Sequence, residues 1–103
     1  MTEKTRVIFV CTANAARSQM AEGLLRAKYG DRFEVFSAGT RQAKVSTSAI
    51  AVMQEIGIDI SHHRSKTLDE FREVSFDIAV TLCDNAHSVC PFIPGAKKTI
   101  HHG

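Results

Sequence analysis

Val7-Ile8-Phe9-Val10 is an unbroken apolar run, largely β-branched, and it stops at Cys11. Such a run reads as a strand buried on both faces. The residues that follow, Thr12-Ala13-Asn14-Ala15-Ala16, are small, and Arg17-Ser18 opens a helical pattern. A buried strand that turns through a short loop into a helix is the repeating unit of a parallel α/β sheet. It also restricts where chemistry can happen, because ligands of such sheets gather beyond the carboxyl ends of the strands.

The rest of the chain continues the alternation. Strands are expected over Arg6–Val10, Phe33–Ser37, Phe76–Leu82 and Lys97–His101. A helix is expected over Ala16–Tyr29, with Met20, Leu24 and Ala27 on its apolar face, Ala21 and Leu25 widening it, and Gly30 as the stop. Thr47–Ile56 reads as a second helix whose inner face is Ala49, Val52, Met53 and Ile56, closed by Gly57. Thr67-Leu68-Asp69-Glu70 has the form of a capping box opening a short helix. No repeat, low-complexity tract or linker interrupts the pattern. One domain over 1–103 is expected, with strands joined by right-handed crossovers into a parallel sheet.

The loop after Cys11 has a chemistry of its own. A helix N-terminus offers backbone N–H groups that have no intrahelical partner, and the helix dipole adds positive potential. Together they suit an anion. Ala13, Ala15 and Ala16 let the backbone close around a guest, and the planar guanidinium of Arg17 matches a tetrahedral oxyanion. In that field Cys11 is favoured as the thiolate, the nucleophilic form, and Ser18 can donate a hydrogen bond to it. The bland alternative is a buried cysteine at a strand end with an arginine on a solvated helix turn. The position of the pattern between strand and helix favours the site.

Bulk properties exclude several classes. The net charge of +2 is too small to argue for nucleic acid or an anionic membrane surface. No apolar run approaches the roughly 20 residues that span a bilayer, and no signal-peptide pattern follows the charged start. A cytoplasmic protein is therefore expected. Three cysteines are an odd number, which argues against a structural disulfide framework and for reactive thiols.

Cys11-Thr12-Ala13-Asn14-Ala15-Ala16-Arg17-Ser18-Gln19-Met20-Ala21-Glu22 resembles the active-site loop of the low-molecular-weight tyrosine phosphatase superfamily. The Ser-Gln-Met-Ala-Glu run after the arginine is similar to its arsenate reductase branch. The resemblance continues through Ser37-Ala38-Gly39-Thr40, Met53 to Ser61, Val80-Thr81-Leu82-Cys83 and Cys90-Pro91. It implies a three-layer sandwich around a parallel four-stranded sheet. It also implies that residues 12 to 17 bind arsenate, with phosphate or sulfate as mimics, and that Cys11 attacks it. Cys83 would then displace arsenite and form a disulfide with Cys11. Cys90 would carry the oxidation outward as a Cys83–Cys90 disulfide for thioredoxin to reduce, with no bound cofactor. Asn14, Glu22 and Ser37 match positions that organise the loop and, in some relatives, bind potassium. Lys66 stands where those relatives usually have an aspartate, so potassium is not expected here. Relatives continue past residue 103 with an Asp-Pro loop and a last helix, so the chain is expected to be C-terminally truncated. A full-length form is expected to be a monomer.

The loop by itself also fits a low-molecular-weight protein tyrosine phosphatase, and a truncated oxyanion-binding or redox module is a third reading. Cys83 and Cys90 separate them, because a phosphatase needs one thiol and a reductase needs a place for a disulfide. Were residues 83 to 90 helical, these cysteines would lie about 10.5 Å apart along the axis. A disulfide needs Cα atoms within roughly 4.4–6.8 Å, so the segment must reorganise on oxidation. Cys83, His87 and Cys90 are also a conceivable zinc set, but the fourth ligand would have to come from His-His doublets without ligand spacing. No metal is expected.

Overall fold

The four expected strands pair side by side in a computed structural model that describes residues 4–11, 16–40, 43–82 and 95–102. The strands are β1 (Thr5–Cys11), β2 (Phe33–Gly39), β3 (Phe76–Leu82) and β4 (Ala96–His102). All pairs are parallel and the order is β2-β1-β3-β4. Helix α1 (Arg17–Tyr29) joins β1 to β2. Helix α2 (Thr47–Glu55) and a 3-10 turn (Leu68–Phe71) lie between β2 and β3. The expected α/β class and parallel sheet are therefore observed. β1 and β2 run further toward their carboxyl ends than the apolar runs suggest, so Cys11 and Gly39 are paired strand residues.

Strand alternation divides the two faces. Ile8 is in register with Phe36 and Ala79, and Val10 with Ala38 and Thr81. Ile8, Val10, Ala38 and Ala79 form a buried cluster with Phe76, and Phe36, Leu68, Phe71 and Val74 pack against it. Phe36, Phe71 and Phe76 meet edge to face, with centroids 5.3 to 6.0 Å apart, the arrangement their ring quadrupoles favour. Cys11 and Ser37 belong to the opposite alternation, and both are met by α1. A second cluster, Ala49, Met53 and Ile60, joins α2 to α1 through Ala16 and Met20.

Both helices depart from their expected faces. On α1 the buried residues are Ser18, Gln19, Glu22 and Gly23, while Leu24 and Ala27 are exposed. The helix turns a polar stripe inward because the sheet surface beneath it is polar too, at Cys11 and Ser37. On α2 only Ala49 and Met53 are buried; Val52 is 51% and Ile56 59% exposed. Ile56 lies at the C-cap, where the chain turns away through Gly57 at φ +79°. Gly57 N–H reaches the Gln54 carbonyl and Ile58 N–H that of Met53, the paired bonds of a Schellman motif. Half of the expected capping box at Thr67 forms: Thr67 makes no side-chain cap, while the Glu70 carboxylate accepts from the Thr67 backbone N–H. Arg64 holds the same carboxylate at 2.5 and 3.0 Å.

Gly23 is the point of closest approach between α1 and the second cluster. A Cβ there would stand 2.6 Å from Ile60 Cγ2, which belongs to a fully buried, β-branched side chain. Overpacking of this kind costs about 1–3 kcal/mol, while alanine returns about 1 kcal/mol of helix propensity. Gly23→Ala should therefore lose up to about 2 kcal/mol net, read from the urea unfolding midpoint; a stabilised variant would show that Ile60 yields freely.

Candidate functional site

Cys11 ends β1 and its thiol is free. Its Sγ lies 2.8 Å from Ser18 Oγ, in the first turn of α1. This contact brings the sulfur to the head of the helix. That helix starts without a side-chain cap and with no acidic residue in its first turn, and Ala16 is its N-cap residue. Its N-terminal N–H groups therefore face the thiol end of the sheet, with no acidic side chain in the first turn to neutralise their positive potential. Arg17, half-buried, is the first residue of the helix.

Below Ser18 the polar stripe is tied down residue by residue. Gln19, fully buried, donates from Nε2 to the Arg64 carbonyl at 2.8 Å, and its Oε1 meets His63 Nδ1 at 2.9 Å. Glu22 accepts a hydrogen bond from Ser37 Oγ on β2. Its other oxygen is 2.6 Å from Arg26 Nη2, one helical turn on. That same nitrogen donates to the Val35 carbonyl at 2.6 Å, occupying an acceptor on the free edge of β2. Lys66 Nζ stands 3.7 Å from Glu22 Oε1 and donates to the Arg64 carbonyl at 3.0 Å. Burial pulls the Lys66 ammonium below its usual pKa, and Glu22 opposes that pull.

The structure thus brings together Cys11 with Ser18, and Glu22 with Ser37. Thr12, Ala13, Asn14, Ala15, Cys83 and Cys90 lie outside the described residues, as does the segment expected to reorganise on oxidation. Register still places the strand ends. Val10 pairs with Thr81, so Cys11 is level with Leu82, the last residue of β3. Among the described residues no group of three His, Cys, Asp or Glu side chains is placed to hold a metal.

Three contributors were not assigned from sequence. Arg26 was readable in principle, because Glu22 and Arg26 have the i, i+4 spacing of a helical ion pair. Gln19 sat inside the recognised run but carried no role. His63 belongs to a His-His doublet whose two members differ: His62 is exposed, whereas His63 is half-buried against Gln19. Only tertiary contact distinguishes the two.

Residues 6–102 match the model of the low molecular weight phosphotyrosine protein phosphatase family. An arsenate reductase of Halalkalibacterium halodurans is 44% identical over 100 residues, which span 97% of this chain and 72% of that protein. A solved arsenate reductase in the phosphate binding state superposes with a TM-score of 0.84 at 33% identity, covering 95% of this chain and 75% of that one. A thioredoxin-dependent arsenate reductase of Corynebacterium glutamicum does so with a TM-score of 0.77 at 33% identity, covering 96% of this chain and 49% of that one.

His63 gives the site a pH signature. Burial lowers its pKa below the ordinary 6.5; Glu22 opposes the shift, while His62, Arg26 and Lys66 reinforce it. As pH falls, the unfolded chain therefore takes the proton first. The stability His63 contributes is complete above pH 6.5 and is lost as pH falls through the lower folded-state value. Urea midpoints measured at steps from about pH 7.5 down to about pH 5 should fall in the parent and fall less in His63→Asn. Parallel curves would remove His63 from the account.

Proposed function

The chain belongs to the low-molecular-weight phosphotyrosine protein phosphatase family, and we propose that within it this chain is a thioredoxin-coupled arsenate reductase. The observation that carries the reading is the Cys11 Sγ–Ser18 Oγ contact at the uncapped head of α1. It sets a nucleophilic sulfur against a hydrogen-bond donor in positive potential. Such a hydroxyl stabilises a thiolate and can follow the sulfur as its charge changes. The similarity to named arsenate reductases, one of them thioredoxin-dependent, supports the choice of substrate and of reductant.

The chemistry follows from these parts. Arsenate sits on residues 12 to 17, held by backbone N–H groups and the Arg17 guanidinium. The Cys11 thiolate attacks arsenic, a protonated oxygen leaves as water, and a sulfur–arsenic bond forms. The Cys83 thiolate then attacks Cys11 Sγ. The sulfur–arsenic bonding pair stays on arsenic, which leaves as arsenite, while both sulfurs are oxidised to a disulfide. Cys90 exchanges onto Cys83 and releases Cys11 as thiolate. Thioredoxin supplies the two electrons that reopen the Cys83–Cys90 bond. Glu22, Ser37 and Asn14 organise the loop without touching arsenic. Phosphate has the same shape as arsenate, so slow hydrolysis of an aryl phosphate by the same thiol is consistent with the reading.

A potassium ion does not fit beside Glu22 in this chain. Lys66 already brings a tethered positive charge to 3.7 Å from that carboxylate, and a second cation there would meet its repulsion. Replacing sodium by potassium at constant ionic strength should leave the melting temperature and the turnover rate unchanged. A marked rise in either would show that an ion still binds.

The relay is tested by arsenate-dependent NADPH oxidation with thioredoxin and thioredoxin reductase. Cys11→Ser, Cys83→Ser and Cys90→Ser should each abolish multiple turnover. Arg17→Lys should cost at least about tenfold in kcat/KM through the lost bidentate grip. Full activity in both Cys83→Ser and Cys90→Ser would overturn the three-thiol route, and hydrolysis of phosphotyrosine without arsenate reduction would make the protein a phosphatase.

A further inference from the structure

We propose that His63 is a positioning residue for the Cys11 thiol, acting through Gln19 and Ser18. The proposal deepens the reading of Cys11 as nucleophile and rests on it.

The Gln19 amide has its orientation fixed at both ends. Nε2 donates to the Arg64 carbonyl at 2.8 Å, so Oε1 is the atom turned toward His63 Nδ1 at 2.9 Å. A carbonyl oxygen only accepts, so Nδ1 carries the proton and the neutral ring leaves Nε2 as its basic nitrogen. Gln19 and Ser18 are neighbours in the first turn of α1, and both are fully buried. A shift of that turn moves them together.

These contacts close a circuit. Cys11 pairs with Gly39 across the β1–β2 register. Gly39 N–H donates to the Lys66 carbonyl at 2.8 Å, and Gly39 bridges to Thr67. The same segment carries Arg64 and His63, which hold Gln19. Gln19 adjoins Ser18, and Ser18 returns to Cys11 Sγ at 2.8 Å. The thiol and its hydroxyl are thus held from two sides, by the strand register and by the His63–Gln19 contact. Without the Nδ1–H donor, Gln19 loses its Oε1 contact to this segment, one of the bonds that seat the first turn of α1. Ser18 Oγ then drifts from the sulfur, and the thiolate loses part of its stabilisation.

The test reads the thiol without arsenate. In a Cys83→Ser/Cys90→Ser background Cys11 is the only thiol, and its alkylation by iodoacetamide is followed by intact mass against pH. His63→Ala should slow alkylation about fivefold at about pH 6.5 and leave the rate above about pH 10 unchanged, as expected for one weakened hydrogen bond. His63→Asn, whose amide N–H replaces Nδ1–H, should keep the parent profile. Ser18→Ala should slow the reaction at low pH as well, and adding His63→Ala to it should change nothing more, because both act on one contact. An unchanged profile in His63→Ala, or full additivity in the double variant, overturns the proposal. Should His63→Ala fail to fold, His63→Phe fills the same space without a donor and carries the same expectations. A parent protein that does not reduce arsenate would sink the proposed function, yet the alkylation profile would still decide the role of His63.

Discussion

A helix can lay a polar side on a sheet only if every polar atom it buries finds a partner. Glu22 is the costliest of those atoms in this fold. An ionised carboxylate removed from water loses several kcal/mol of solvation unless charge and hydrogen bonds replace it. Ser37 from β2, Arg26 from the same helix and Lys66 from the segment beyond α2 converge on it. Among the described residues no buried side-chain nitrogen or oxygen is left without a partner. These bonds fix the rotation of α1 about its axis, and that rotation decides that Ser18 faces Cys11. The site is therefore a consequence of how the helix is seated.

The same seam shows where sequence reading succeeds and where it stops. β1 and β3 were legible because a strand buried on both faces is apolar throughout, and Val7 to Val10 and Ile78 to Leu82 nearly are. The inner face of α1 was not, because amphipathic reasoning sends apolar residues inward. Leu24 follows that rule by spacing yet is 40% exposed, while Glu22 and Gln19 are buried. The inversion is local to a functional helix, where polar side chains have work at the interface that leucine cannot do. Val52 and Ile56 fail for a different reason. They share the periodicity of Ala49 and Met53, but the helix ends at Glu55 with Ile56 as its C-cap, and both side chains are more than half exposed.

The thiol itself was legible, because its signal combined residue type with place. A cysteine alone says little, and an arginine a few positions later says little more. At the end of a buried parallel strand, with small residues leading into a helix, the pair acquires a meaning set by backbone geometry. What the sequence could not show is what holds the Ser18 hydroxyl against the sulfur. That depends on Gln19 and Glu22 being anchored to residues more than a dozen positions away, Ser37 and His63 among them.

A cradle for a tetrahedral oxyanion does not choose between phosphate and arsenate, since size, charge and geometry are nearly shared. Selectivity for a reductive outcome must lie in what happens after the sulfur attacks. A phosphoryl group leaves its thiol by hydrolysis, with no change in the oxidation state of either partner. An arsenic–sulfur bond can also break with its electron pair remaining on arsenic, provided a second thiolate takes the sulfur. In the proposed relay that thiolate is Cys83, and parallel pairing bears on it through the end of β3. Cys11 closes β1, Leu82 closes β3 at the same level of the sheet, and Cys83 is the next residue along the chain. The residue that precedes Cys83 in the chain thus ends its strand level with Cys11. Within that relay the loop is assigned binding and nucleophilicity, and the register of β1 on β3 is assigned the redox outcome.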